Sequence, residues 1–288
     1  MRNKLTLLSF KILLLAVTII SCRDGESVST DIVPDIETTT LIYGYLSPEK
    51  DTLQILVSKT LPYIDESIDE LRNNYSKFIV KDARVFLENE VGDQVTLVYN
   101  EKSFNYEILQ KNFPINANES YRLKVEVDEN TYSATCTIPD HKVKDLEAKT
   151  IITSQTDERS SGSFSIQFEG NPGELNYFLV TSEIENNAFS PLEFENGGLF
   201  TDEFQESNKI IGTARFFQIE LPDTTSIHIN SITSDFYNFL KATYDNSTFP
   251  FGSFNSANNV PLPTNIVGEN VNGHFAGYRL FSKKVDLK

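Results

Sequence analysis

The sequence predicts an all-β protein built from two β-sandwich domains of immunoglobulin-like character, the second carrying one short helix and long loops. Three observations predict it. From Thr38 onward the apolar residues alternate with a period of two and are rich in β-branched and aromatic types. Clusters of Gly, Asn, Asp and Pro punctuate these runs at short, regular spacing. One segment alone, near 234–244, shows a helical period with a cap and an acid in its first turn.

The elements follow in order. Residues 1–21 read as an export signal. Arg2 and Lys4 make a basic start, Ile12 to Ile20 are apolar apart from Thr18, and Ile19-Ile20-Ser21-Cys22 resembles a lipobox. The run is too short to span a bilayer. Cleavage before Cys22 and acylation of its thiol, palmitate included, would tether the chain to a membrane. Residues 22–37 are polar and acidic and read as a flexible tether.

The first domain is expected over 38–140. Its strands are Thr40–Leu46, Thr52–Thr60, Ala83–Asn89, Gln94–Tyr99, Phe104–Leu109, Tyr121–Asp128 and Thr131–Ile138. Gly92 marks the turn of one hairpin, and Asp128-Glu129-Asn130 closes another. Between the second and third strands, 65–74 reads as a short helix with Ile68 and Leu71 on one face, or as a solvated insertion.

The second domain is expected over 141–288. Asp145 to Thr153 opens it, followed by a polar, disorder-prone stretch from Ser154 to Gly162. Strands follow at 164–168, 176–185, 210–221 and 226–232, with a turn at Asn171-Pro172-Gly173-Glu174. Ser234 is placed to cap the helix, and Phe236, Phe239, Leu240 and Thr243 fall on one face, which reads as core. Gly273 to Val285 forms the last strand.

The chain has 25 Lys and Arg against 41 Asp and Glu, a net charge of −16. Loss of residues 1–21 would make it more negative. Such a surface repels nucleic acid, so none is expected as a partner. If Cys22 is acylated, Cys136 is left without a disulfide partner and reads as a small buried apolar residue.

His141, His228 and His274 lie far apart with no metal-ligand spacing, and no nucleophile elbow, P-loop or dinucleotide fingerprint is present. No enzyme activity, cofactor or metal is therefore expected. The triplets beginning at Asn118 and Asn246 read as chance. Aromatic loops are the stronger lead. Phe189, Phe194, Phe200 and Phe204 punctuate one acidic segment, and Phe249, Phe251 and Phe254 punctuate 248–268. These rings either fold back on a core or engage a partner. Phe249, Phe251 and Phe254 are the candidate partner surface.

Several of these segments together resemble a known family. Leu41-Ile42-Tyr43-Gly44-Tyr45-Leu46, Leu53 to Leu61 with Pro62-Tyr63, and Val80-Lys81-Asp82-Ala83-Arg84-Val85 look like the opening of domain-of-unknown-function family 4249. Asp235 to Leu240, Pro263-Thr264-Asn265-Ile266-Val267-Gly268 and Phe275-Ala276-Gly277-Tyr278 look like its closing pattern, though Glu269 to His274 are extra. The resemblance spans about residues 38–287. It implies a lipoprotein of the Bacteroidota, anchored at the outer membrane and encoded beside TonB-dependent receptors, with no established active site. Arg23-Asp24-Gly25-Glu26 weakly resembles the signal for cell-surface display in that phylum, and Asp51-Thr52-Leu53 resembles its O-glycosylation motif, with Thr52 as the acceptor. Asp223-Thr224-Thr225 fits that motif less well.

The reading that follows is a non-catalytic accessory or substrate-capture subunit of a TonB-dependent β-barrel receptor. A structural subunit of a surface assembly is the second reading, and an enzyme whose site is illegible in the sequence is the third.

Overall fold

The computed structural model describes residues 38–60, 75–156, 159–183, 192–203, 208–219, 224–247 and 261–287. Thr38–Lys288 forms one compact unit. It is an all-β, sandwich-like fold, with one α-helix among the described residues.

The seven strands expected in the first half are present: β1 (Thr40–Leu46), β2 (Thr52–Lys59), β3 (Arg84–Asn89), β4 (Gln94–Asn100), β5 (Asn105–Leu109), β6 (Ser120–Val127) and β7 (Asn130–Thr137). Each alternates, and the apolar set points inward. In β1, Ile42 and Leu46 are buried, whereas Tyr45 faces out. β4 divides its pairing. Its Val95 and Leu97 end pairs with β3, and Val98 to Asn100 pair with β5. The strand thus serves both layers of one sandwich. Ile55, Val57, Val85, Leu87, Leu123, Val125 and Ile138 fill the space between them.

The second half has β8 (Glu147–Gln155), β9 (Ser160–Glu169), β10 (Tyr177–Glu183), β11 (Glu193–Phe194), β12 (Leu199–Thr201), β13 (Lys209–Ile219), β14 (Thr224–Ile232), helix α1 (Ser234–Ser247) and β15 (Val271–Asp286). A four-stranded sheet in the order β11-β13-β9-β8 packs on the β12-β10-β14-β15 end of an eleven-stranded sheet. Phe164, Ile166, Phe178, Ile210, Ile227 and Ile229 form the core between them.

β15 joins the halves. Its residues Val271 to Gly277 pair in parallel with β1, and Tyr278 to Asp286 pair antiparallel with β14. One sheet therefore runs through both halves, crossing the 140/141 position. Near the junction Gly273 has φ +132, and a Cβ there would run into the Ile42 carbonyl oxygen. Only glycine fits that approach.

The structure differs from the sequence reading at several points. The polar stretch 154–162 was expected to be irregular, yet its described residues continue β8 and begin β9. Thr156 N–H donates to the Arg159 carbonyl (2.8 Å), and the Thr153 hydroxyl to the Ser161 carbonyl (3.1 Å). Hydroxyl side chains here support the ladder instead of breaking it. The helix is capped by Thr233, not Ser234, since the Phe236 N–H donates to the Thr233 hydroxyl (3.4 Å). Its buried face is Phe236, Phe239 and Ala242, while Thr243 is exposed and donates back to the Phe239 carbonyl. β11 and β12 lie within a segment read as loop. The segment 65–74 lies outside the described residues.

Candidate functional site

Of the rings at 189–206, read as either core or partner surface, Phe194 is buried (7 % exposed), and Phe200 is half-buried against the same core. Their rings meet edge to face at 6.5 Å. They are core residues, not partner surface. Phe189 and Phe204, and the candidate surface residues Phe249, Phe251 and Phe254, lie outside the described residues, as does Cys22. Thr52 opens β2, half-buried and in register with Leu109 of β5. Cys136 is buried and free, and burial pushes its thiol pKa up.

Helix α1 brings together a set of aromatic rings that the sequence reading left separate. It lies on the outer face of the sheet over β1 and β15. Tyr45 stacks on Phe236 (4.8 Å, 18°), Phe236 on His274 (5.5 Å, 18°), and His274 on Phe239 (4.6 Å, 24°). Phe239 then meets Tyr43 at 6.2 Å. Five rings from three elements make one continuous column. Tyr177 and Tyr237 add a second contact at 5.1 Å. Tyr43, Tyr177, Tyr237 and Tyr278 are partly buried around it, and Tyr45 stays 36 % exposed. Burial raises the phenol pKa of Tyr45 and Tyr278, so both are neutral donors at pH 7.

His274 is 2 % exposed, and its Nδ1 is buried with no partner among the described residues. Desolvation lowers its pKa to about 4, opposed weakly by Asp235. It is a neutral aromatic spacer. The sequence placed His274 on the last strand, but nothing in it announced its two Phe neighbours.

A polar node lies beside this face. The Glu49 carboxylate accepts hydrogen bonds from the Ser47 hydroxyl (2.9 Å), the Leu280 N–H (3.0 Å) and Arg279 Nε (3.0 Å), with Lys142 at 3.2 Å. Arg279 also donates to the Asp140 carbonyl (2.8 Å). Burial alone would raise the Glu49 pKa, but these donors outweigh it and the net shift is downward. The node ties the β1–β2 turn and the 140–142 connection to β15.

On the far side of that connection is a cleft of about 470 Å³ lined by His141, Lys144, Asp145, Glu169, Asn171 and Asn208, among others. Burial lowers the His141 pKa against the raising effect of its hydrogen bond to the Glu169 backbone. Among the described residues, no group of three or more His, Cys, Asp or Glu is arranged to hold a metal.

The closing sequence pattern has a structural role. The Asn265 side chain donates to the Phe275 carbonyl (2.7 Å) and accepts from the Phe275 N–H (2.9 Å). Val267 pairs with Ser133 of β7, and Ile266 is buried in the first core. Gly268, at φ +154, lies where a Cβ would meet the Tyr132 ring. Tyr132 in turn reaches Thr40 of β1 (3.2 Å). These residues seal the seam between β7 and β15.

A model of a domain of unknown function, DUF4249, matches residues 26–284. No curated protein matches the chain.

Proposed function

The chain belongs to the DUF4249 family, and from that premise we propose that it is a non-catalytic lipoprotein, anchored through Cys22 in the outer membrane, facing the cell surface, and accessory to a TonB-dependent β-barrel receptor. The observation that carries the reading is the lipobox-like Ile19-Ile20-Ser21-Cys22 after a basic start and an apolar run. A tether of residues 22–37 then gives the body at Thr38 limited reach from the membrane. Confinement to a plane raises the local concentration of two modest surfaces, so a weak contact suffices to capture or gate substrate.

The site geometry is compatible with recognition by shape and ring surface. The α1 aromatic column is packed and neutral, with Tyr45 at its open end. Tyrosine at such a position offers an apolar ring and a polar tip, the combination enriched at interfaces.

Tagged chain, recovered from membranes with what it binds, tests the reading. A TonB-dependent barrel is expected to co-purify. Recovery of a secretion or attachment assembly instead would favour the structural-subunit reading, which the long open strand β8 also suits. Replacing Phe249, Phe251 and Phe254 by Ser probes the partner surface. Retained melting with lost barrel marks an interface. Loss of one buried Phe costs about 3–5 kcal/mol, so a collapsed melt marks them as core.

A further inference from the structure

The chain contains two Asn–Gly pairs, Asn196-Gly197 and Asn272-Gly273, and the fold holds them in opposite ways. The first lies in the single turn Glu195–Gly198 between β11 and β12. Asn196 (φ 54, ψ 30), Gly197 (φ 66, ψ 22) and Gly198 (φ +80) are left-handed in succession. Glycine adopts that conformation freely, and asparagine tolerates it better than most residues. Packing demands both glycines. A Cβ on Gly197 would run into the Tyr244 ring of α1, and one on Gly198 into the Val180 carbonyl oxygen of β10. Glu195, Asn196 and Gly197 are nonetheless exposed. The fold thus imposes a glycine directly after an exposed asparagine.

The second pair lies inside β15. Asn272 is half-buried opposite Leu41 of β1, and Gly273 is buried opposite Ile42. The Gly273 N–H donates to the Asn272 side-chain oxygen at 2.6 Å.

We propose that Asn196 is a site of spontaneous deamidation and that Asn272 is protected from it. The Gly197 backbone nitrogen gives its proton to water and attacks the Asn196 side-chain carbonyl carbon. A new C–N bond forms, the bond from that carbon to the amide nitrogen breaks, and ammonia leaves with the proton. Water then opens the five-membered imide at either carbonyl, giving a normal aspartyl or an isoaspartyl linkage. Nothing is oxidised or reduced, and water is the co-reactant. Glycine leaves the attacking nitrogen unobstructed, and ring closure needs only a local rotation, which a surface turn allows. At Asn272 the same nitrogen must first give up its hydrogen bond, and rotation must break the pairing with β1.

The change alters both charge and shape. Asn196 and Arg215 line one cleft of about 910 Å³, with Tyr244 in its wall. Deamidation sets a carboxylate beside Glu195 on that cleft. The isoaspartyl form also adds a backbone carbon to a turn whose glycines fit closed gaps against Tyr244 and Val180. The inference does not depend on the membrane anchor.

Peptide mass analysis of the purified full chain, aged in mildly alkaline buffer, tests it. The peptide holding Asn196 is expected to gain about 1 Da as the amide becomes an acid, and to accept a methyl group from an isoaspartyl methyltransferase. The peptide holding Asn272 should change at least about tenfold more slowly while the chain is folded. In urea the two should react at similar rates, because the difference belongs to the fold. Asn196→Gln would need a six-membered ring and should abolish the gain, which assigns it to this residue among the other amides of the peptide. An unchanged Asn196 peptide, equal rates in the folded chain, or a gain that persists in Asn196→Gln would overturn the proposal. So would a tenfold difference that survives in urea, since local sequence and not the fold would then set it.

Discussion

Lowering the pH should loosen helix α1 through one buried ring. His274 sits between Phe236 and Phe239 of the helix, with Tyr43 opposite it on β1, and Asp235 is the one charge that raises its pKa. Its pKa falls to about 4 in the folded protein from 6.5 in an unfolded chain. The unfolded chain therefore binds a proton first as the pH drops. Folding stability is complete above pH 6.5, declines between 6.5 and 4, and levels off below. At 1.36 kcal/mol per pH unit the ceiling on this loss is about 3 kcal/mol, and residual solvent screening brings the working figure to about 2 kcal/mol. His274→Phe keeps an aromatic ring in the stack and removes the titration. Urea unfolding of the wild type and the variant at pH 7.0, 5.5 and 4.0 separates this group from the carboxylates, whose losses are common to both. The wild type is expected to lose about 2 kcal/mol more than the variant over that range. Parallel curves for the two proteins would refute the reasoning, as would a variant that loses more than the wild type.

Other perturbations reach other parts of the molecule. Cys22→Ser should release the chain from the membrane fraction or leave it unprocessed, read by fractionation and mass; normal anchoring and trimming would remove the lipoprotein reading. Gly273→Ala should cost about 3 kcal/mol or more in thermal or urea unfolding, since the added methyl must displace the β1 backbone from β15. Glu49→Ala strips the acceptor from Arg279 and from the Leu280 N–H and should cost about 2 kcal/mol at pH 7. Because the Glu49 pKa is lowered on folding, that contribution is present above the ordinary carboxylate range and fades as the pH falls through it. Double-mutant analysis with Arg279→Ala measures the coupling directly.

Local chemistry made the strands of the first half legible, because alternation and turn residues agree there with what packing requires. Gly92, at φ +88, and Asp128, at φ +53, stand in the turns that the sequence assigns to hairpins. The end of β8 and the start of β9, within 154–162, were illegible for the opposite reason. The serines and threonines there carry no apolar period, and the sheet is stabilised by backbone pairing of β9 to β13, a partner distant in sequence. Phe194 and Phe200 stayed undecided between core and partner surface because composition around a ring says little about which side of a sheet it lands on. The aromatic column was half visible. The helical spacing marked Phe236 and Phe239, but Tyr43, Tyr45 and His274 join them only through the parallel pairing of β1 with β15, and no local rule foretells a contact between residues some 230 positions apart. The Glu49 node was hidden likewise, since its donors come from the last strand and the mid-chain connection.

The pairing of β1 with β15 also sets a clock on the birth of the molecule. A chain is made from its first residue to its last, and β1 is among the earliest parts of the body to appear. Its partner on β15 is made some 230 residues later. Until that segment arrives, Thr40–Leu46 has an open flank, and Ile42, Phe275 and Ile266 cannot share a core. Early folding can assemble hairpins but cannot finish either half. Long-range closure of this kind is slow, because the loop entropy is spent before the contact repays it. A protein so arranged stays incomplete through synthesis, and a stop codon anywhere before residue 271 would leave the whole flank of β1 without its partner.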